Sequence, residues 1–241
     1  MHLIITPDRN TKKSDYTGAF RPEALTYKKK IGVFGVLCPV EIVTFDASAS
    51  MSKRKNTVLN AIAAVGNEGK DLIDCLAIFS HGWSKGIQAG FTNKDVGELA
   101  KLLADCGHSN DCKVALYCCS TGADPQDDSM EAPGVGSSED GNLGDGSFAD
   151  RLRDALCSEG HIYCSVYAHR TAGHTTQNPN VIIFEGKGLK SGGYGGVMPI
   201  TKKNKKAWAA WVKKLKTPYR FTVPLMSVLD IRDQFDSLGQ V

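Results

Sequence analysis

The chain lacks any long apolar segment, because nowhere do about 18 consecutive apolar residues occur, the minimum for a membrane-spanning helix. Its first residues, MHLIITPDRN, show no basic region followed by a long apolar stretch and a small-residue cleavage site, so no secretory signal is indicated. We therefore expect a soluble, cytoplasmic protein. With 241 residues, 41% of them hydrophobic, the chain is long enough to bury a substantial core.

Several motifs of common enzyme classes are also missing. No G-x-S-x-G string occurs, which disfavours a serine α/β-hydrolase. The glycine-rich segment Gly186–Gly196 fits neither common phosphate-binding pattern, so a flexible loop or hairpin is the better interpretation. No cofactor is expected from these patterns.

An excess of charge of either sign is absent, because 29 basic residues nearly balance 26 acidic ones and leave a net charge of +3. This balance does not indicate a nucleic-acid partner. The oligomeric state is left open by the composition.

The eight cysteines lack the paired C-x-x-C spacing of zinc knuckles. A zinc site at Cys106, His108 and Cys112 has no evident fourth ligand. Most of the thiols lie inside apolar runs of a long chain without an export signal, so we predict reduced, buried cysteines rather than disulfides.

Apolar runs that end in turn residues alternate with segments of helical period, a pattern typical of an α/β protein with a mainly parallel sheet flanked by helices. Helical spacing predicts a helix over Lys53–Val65, a second that Asn93 caps, and a third that begins after Ser147 with Asp150 in the capping-box position. The predicted strands are Val40–Phe45, Leu72–Phe79, Val114–Cys118 and Ile162–Tyr167.

We predict one domain over residues 1–241, with two segments of distinct character. Residues 123–146 contain seven acidic residues, no Lys or Arg and few large apolar side chains, so we expect a mobile loop. Its carboxylates could gather Ca²⁺, although their spacing lacks the EF-hand pattern. We predict that residues 202–241 form a basic extension, a Trp-containing amphipathic helix followed by a strand. This helix is expected to dock on the sheet or to meet a membrane or anionic partner.

Two of the predicted strands end in reactive residues. One strand runs into Ser80-His81-Gly82, and another runs into Cys118-Cys119-Ser120-Thr121-Gly122. Because the carboxyl ends of parallel strands meet at one edge of a sheet, we expect His81 and Cys119 to lie side by side. A cysteine attacks as the thiolate and needs a nearby base or cation, which a histidine supplies.

Glycines beside both residues suit the same chemistry. Gly82 and Gly122 are expected to let the backbone turn sharply and bring N–H groups near a substrate carbonyl. The backbone amides of Gly82 and Cys119 are our candidate donors to the oxyanion.

This pair of strand ends resembles the caspase-like cysteine peptidases, which include caspases, metacaspases, legumains, gingipains and CHAT domains. The resemblance covers Val40 to about Tyr167 and implies a caspase-hemoglobinase fold. It also implies that His81 is the catalytic histidine and Cys119 the nucleophile, with Cys118 in the place of a small inward residue. Cys118 itself is the alternative nucleophile.

The chain departs from the family patterns in three ways. The caspase string Q-A-C-[RQG]-G is absent. Cys119 follows His81 by 38 residues, fewer than the roughly 50 of caspases. Tyr117 stands where metacaspases and legumains have an acid that binds basic or Asn side chains, so cleavage after Arg or Lys is not indicated. Tyr117, Cys118, His169 and His174 are candidates to line the substrate cleft, and the histidines are also alternative bases.

The sequence thus predicts a cysteine endopeptidase with a Cys–His dyad that acts on a protein or peptide substrate. The acidic loop occupies the region where related proteases are cut during maturation, so self-processing between Ala123 and Gly146 is expected. Two alternative functions are left open. One is a catalytically inactive caspase-like binding module that presents the basic helix Lys202–Lys216 to a partner. The other is a thiol acyl- or peptidyl-transferase that uses the same Cys–His pair on a different acceptor.

Overall fold

A computed structural model describes residues 1–8, 18, 20–34, 39–67, 73–106, 112–123, 125, 144, 146–169 and 181–186. The basic extension, His174 and nearly all of the acidic loop lie outside these residues. No helix in the described ranges combines the length and the apolar character that crossing a bilayer requires.

The described chain is an α/β structure built around a six-stranded sheet that is mostly parallel. In chain order its elements are β1 (His2–Pro7), α1 (Phe20–Phe34), β2 (Val40–Phe45), α2 (Met51–Asn67), β3 (Cys75–Phe79), β4 (Gly82–Trp83), β5 (Gly86–Ile87), β6 (Phe91–Thr92), α3 (Val96–Cys106), β7 (Lys113–Tyr117), α4 (Phe148–Ser158), β8 (Ser165–His169) and β9 (Val181–Glu185).

The strands of the main sheet are arranged in the order β2-β1-β3-β7-β8-β9, and only β9 runs antiparallel to its neighbour. The two-residue strands β4, β5 and β6 form a separate small antiparallel sheet directly after β3. The predicted α/β class with a mainly parallel sheet is therefore confirmed.

Each face of the sheet carries its own apolar core, because successive strand residues point to opposite sides. Leu76 and Ile78 of β3 face the layer of α2, α3 and α4. Ala77 and Phe79 face α1, which contributes Phe20, Ala24 and Tyr27. Both faces of the central strands are covered, which explains why these strands are continuous apolar runs.

Most predicted strands are present with shifted ends. The strand Val40–Phe45 is confirmed without change, whereas β3 and β7 each differ from the prediction by a few residues. The prediction that a strand begins at Ile162 was wrong, because the chain turns there and β8 begins at Ser165. Ile162 and Tyr163 are exposed, so their apolar character was misleading.

Two of the predicted helix starts can be compared at the level of the cap. Ser147 caps α4 as predicted, and its hydroxyl accepts a hydrogen bond of 3.2 Å from the amide of Asp150. The prediction that Asn93 caps α3, the helix before α4 in the chain, was wrong. That helix begins at Val96. The carboxylate of Asp95, the residue before it, accepts a hydrogen bond of 2.8 Å from the amide of Thr92.

Candidate active site at the ends of two strands

The ends of β3 and β7 bring the two predicted catalytic residues together. These strands pair in parallel, with Phe79 opposite Tyr117 as the last aligned pair. His81 and Cys119 each follow this pair by two residues, and neighbouring strands lie about 4.8 Å apart. The two residues therefore emerge from adjacent strands at the carboxyl edge of the sheet, as the sequence predicted.

Side-chain contacts show that the strand ends stay together beyond the last aligned pair. The Ser80 hydroxyl and the Cys118 sulfur are 3.4 Å apart, and the Cys118 thiol also donates to the carbonyl of Ile78 at 3.4 Å. The register of the sheet thus continues for at least one residue toward the candidate site.

Gly82 allows the closest approach between the two strand ends. A Cβ at this position would lie 2.7 Å from the Cβ of Cys118, 2.8 Å from the Cγ2 of Thr121 and 2.9 Å from the carbonyl oxygen of Cys119. Real Cβ atoms do not make such contacts, so any larger residue would push the His81 segment away from the Cys119 turn. Position 82 is therefore a glycine because of close packing, and not because of an unusual backbone angle.

The turn after Cys119 is held in place by its own hydrogen bonds. Thr121 donates its hydroxyl to the carbonyl of Cys118 at 3.2 Å, and the amide of Ala123 donates to the carbonyl of Ser120 at 2.9 Å. Ser120, with a φ of 52°, is the one non-glycine residue in the left-handed region among the described residues. Such strained positions are common where a reactive side chain must be presented.

The expected role of Gly122 needs correction. Its φ is not positive, because the sharp turn occurs at Ser120 instead. Its amide donates to the carbonyl of His169 at 2.9 Å and is thus engaged within the protein. Gly122 ties the Cys119 turn to the end of β8, and we do not include it among the oxyanion donors.

The two adjacent cysteines occupy different environments. Cys118 is fully buried, and this burial raises the pKa of its thiol to about 12, although Ser80 opposes the shift by hydrogen bonding. Cys119 is partly exposed. Since the thiolate is the nucleophile, Cys118 remains protonated at neutral pH and has no access to a substrate.

Fixed contacts surround His81 on its backbone and on its ring. Its carbonyl oxygen accepts a hydrogen bond of 2.8 Å from the amide of Gln88 and one of 3.0 Å from the hydroxyl of Ser80. The ring of Phe20, the first residue of α1, lies edge-on to the imidazole with centroids 4.9 Å apart. A hairpin and a helix therefore restrict where the imidazole can lie.

The N-terminus of α4 contacts both loops of the site. The amide of Phe148 donates to the carbonyl of Ser84 at 2.7 Å, and the amide of Ala149 donates to the carbonyl of Thr121 at 3.1 Å. One helix end thus holds the His81 hairpin and the Cys119 turn, using amides that every helix leaves without intrahelical partners.

The proposed cleft residues lie deeper than expected. Tyr117 is buried, stacked on Phe79 with centroids 4.2 Å apart, and His169 is buried against Tyr117 at 6.2 Å. With Cys118 also buried, these three side chains lie beneath the strand ends and line no open cleft among the described residues. Burial also removes His169 from direct contact with a substrate. His174 lies outside the described residues.

Several residues around the site were not predicted from the sequence. Phe20 and Gln88 have no motif, and their roles follow only from the packing of α1 and of the hairpin after Gly82. Between Gly82 and Thr92, a glycine followed by one apolar residue recurs every four positions, and this was the one signal that could have indicated the hairpin.

The described residues contain no group of three or more His, Cys, Asp or Glu side chains that could hold a metal ion. Cys106 and Cys112 are both buried, whereas His108 lies outside the described part of the chain. The carboxylates proposed for Ca²⁺ also lie outside it.

Comparisons of the chain with protein-family models, with curated proteins and with solved structures gave no match. The function is therefore inferred from the geometry of the strand ends and from the resemblance of their motifs.

Proposed function

We propose that the chain is a cysteine endopeptidase of the caspase-like type, with Cys119 as nucleophile and His81 as general acid and base. The observation that carries the proposal is the pairing of β3 with β7, which presents both residues from adjacent strands two positions beyond the Phe79 and Tyr117 pair. The caspase-hemoglobinase fold is part of the same proposal.

The chemistry begins with the thiolate of Cys119, which attacks a peptide carbonyl carbon while the proton resides on His81. The backbone amides of Gly82 and Cys119 are the donors proposed for the resulting oxyanion. When the C–N bond breaks, His81 gives its proton to the leaving amine and a thioester remains on Cys119. Water, deprotonated by His81, then releases the carboxylic acid and regenerates the thiol.

The environments of the two thiols support the choice of Cys119. A nucleophile must reach its substrate and ionise near neutral pH, and Cys118 meets neither condition because it is buried with a raised pKa. Cys119 lies at a strained turn with partial exposure, next to a histidine-bearing strand end.

The ends of the acidic loop support self-processing. Ala123, where the loop begins, is four residues after Cys119, and Gly144, near its end, packs so closely that a Cβ there would lie 2.5 Å from the carbonyl oxygen of Gly122. The loop therefore leaves from and returns to the immediate surroundings of the nucleophile. We propose that Cys119 cleaves its own chain between Ala123 and Gly146.

Brief, sub-stoichiometric alkylation at about pH 6 tests the dyad, because an ordinary thiol with a pKa of about 8.5 is almost fully protonated there. We expect peptide mapping to find the label on Cys119 in the wild-type chain and in Cys118→Ala, and to find it lost in His81→Ala. Labelling that is spread over several cysteines, or unchanged in His81→Ala, would overturn the proposed dyad.

The same proteins test peptide cleavage. Fragments ending between Ala123 and Gly146 should accumulate in the wild-type chain and be absent in Cys119→Ala. We expect this variant to keep the fold, because Cys119 is only partly buried. Equal cleavage in Cys119→Ala would assign the cut to another protease. Products joined to an added amine, instead of free carboxylic acids, would identify a transferase that uses the same pair.

A further inference from the structure

A second pair of cysteines lies where α4 passes into β8. The sulfur atoms of Cys157 and Cys164 are 3.9 Å apart, and neither residue is in a disulfide. Cys157 is in the last turn of α4, and Cys164 directly precedes the first residue of β8. This pair has no part in the proposed chemistry of Cys119.

The turn between the two cysteines is fixed by backbone hydrogen bonds. The amide of Gly160 donates to the carbonyl of Cys157 at 3.2 Å, and the amide of His161 donates to the carbonyl of Leu156 at 3.0 Å. Gly160 has a φ of +95°, which a residue with a side chain rarely adopts. The tight reversal returns the chain toward α4 and places Cys164 against Cys157.

Contacts of the sulfur atoms hold them toward one another. The Cys157 thiol donates to the carbonyl of His161 at 3.9 Å, and the Cys164 thiol donates to the carbonyl of Arg153 at 3.8 Å. Because each sulfur reaches a carbonyl on the segment that carries the other cysteine, the two side chains face a shared space. Closing the remaining gap requires side-chain rotation and small shifts of the turn.

We propose that Cys157 and Cys164 are a modification site that a peroxide converts into an intramolecular disulfide. Cys157 is the thiol that meets the oxidant, because it is partly exposed whereas Cys164 is buried. The Cys157 thiolate attacks one peroxide oxygen, the O–O bond breaks, and a sulfenic acid and hydroxide form. The sulfur of Cys164 then attacks the sulfenic sulfur, which releases water and joins the two sulfurs, so that one peroxide is reduced while two thiols are oxidised.

The ionisation of Cys164 agrees with this order of events. Its hydrogen bond with Cys157 and its burial both raise the pKa of the Cys164 thiol. Cys164 therefore keeps its proton while Cys157 reacts with the peroxide. Oxidation of Cys157 then replaces the thiol that is the first of these two causes, and Cys164 gives its proton to the departing oxygen as its sulfur attacks, which forms water.

The full-length Cys119→Ala chain, which removes the proposed nucleophile, is the protein in which to test this inference. It is treated with hydrogen peroxide, its remaining thiols are blocked with N-ethylmaleimide, and it is digested without reduction. Trypsin leaves both cysteines on one peptide, residues 154–170. We expect this peptide to lose the mass of two hydrogen atoms and to carry no maleimide.

A second digestion identifies the connection. Cleavage after Glu159 separates the two cysteines, so the halves should stay together until dithiothreitol is added. Cys157→Ser and Cys164→Ser should each prevent the linked product, whereas Cys106→Ser, a change at another buried cysteine, should leave it unaltered. The oxidised chain should also melt at a higher temperature than the reduced one, because the disulfide restricts the unfolded chain.

Two results would overturn the inference. One is full maleimide labelling of both cysteines after peroxide treatment. The other is a disulfide that joins Cys164 to Cys112, whose charge in the ionised form is close enough to affect Cys164. Because Cys119 is absent from the tested chain, failure here would leave the proposed peptidase untouched, and failure of the peptidase would leave this pair untouched.

Discussion

At the scale of single residues, the candidate site depends on how close two strand ends can approach. Gly82 packs on Cys118, Thr121 and the backbone of Cys119, so its missing side chain sets the separation between the histidine and cysteine segments. The sequence singled out Gly82 because it follows His81, and predicted that glycine is needed there for a sharp turn. The packing shows instead that glycine is needed because a side chain would collide with the neighbouring strand end.

We expect Gly82→Ala to lower the free energy of unfolding by about 1–3 kcal/mol, because backbone atoms that cannot move easily oppose the added Cβ. It should also weaken the selective alkylation of Cys119, since the His81 segment is displaced. Urea denaturation and the alkylation map at about pH 6 measure both effects.

Gly97→Ala is the matched control for this substitution. A Cβ at Gly97 meets nothing within 4 Å, and the residue lies in α3. Alanine favours the helix over glycine by up to about 1 kcal/mol, so stability should stay equal or rise. Equal losses in the two variants would show that close contact at Gly82 is not what the glycine provides.

At the scale of elements, α4 connects the parts of the site. Its start at Ser147 could be predicted from the sequence, because a capping serine and an apolar stripe are local signals. That its first amides bind Ser84 and Thr121 could not be predicted, since those contacts depend on how distant segments pack. The same holds for α1 and β1, which were not predicted and which bring Phe20 to His81.

Ser147→Ala should destabilise the protein by about 1 kcal/mol through loss of the cap. The amides of Phe148 and Ala149 should exchange hydrogen faster, because the helix end that donates to both loops frays more often. Hydrogen exchange read by NMR, together with urea denaturation, measures the two effects.

Ser158→Ala makes the same change at the exposed far end of α4, where the hydroxyl donates to the carbonyl of Asp154 at 2.9 Å. Its effect on stability should stay within about 0.5 kcal/mol. If this variant accelerates exchange at Phe148 as much as Ser147→Ala does, the cap is not what holds the helix end against the two loops.

At the scale of the whole molecule, the alternation of strands and helices predicts the class of the fold but not the order of its strands. β1 lies between β2 and β3, and β9 closes the sheet as an antiparallel edge. The local sequence does not predict which strands are adjacent, because strand order depends on which apolar faces pack together. The neighbouring positions of β3 and β7 are the part of the topology that the candidate site requires, and that part was predicted.

The buried thiol of Cys118 should make the stability of the whole molecule depend on alkaline pH. The folded chain keeps this thiol protonated because burial raises its pKa to about 12, whereas an unfolded cysteine ionises near pH 8.5. Between these values the unfolded state binds fewer protons, so the free energy of unfolding falls as pH rises. The stabilising contribution is complete below about pH 8.5 and decreases toward the folded pKa.

Comparing the wild-type chain with Cys118→Ala at pH 7 and pH 10 under reducing conditions isolates this contribution. From pH 7 to pH 10, wild type should lose on the order of 1–2 kcal/mol more than the variant, because alanine cannot ionise in the unfolded state. Urea denaturation at each pH, with a return to pH 7 to establish reversibility, measures the difference. An equal loss in both proteins would mean that Cys118 ionises as readily in the folded chain as in the unfolded one. Cys118 would then compete with Cys119 as a nucleophile, so this measurement on the whole molecule also decides between the two adjacent thiols.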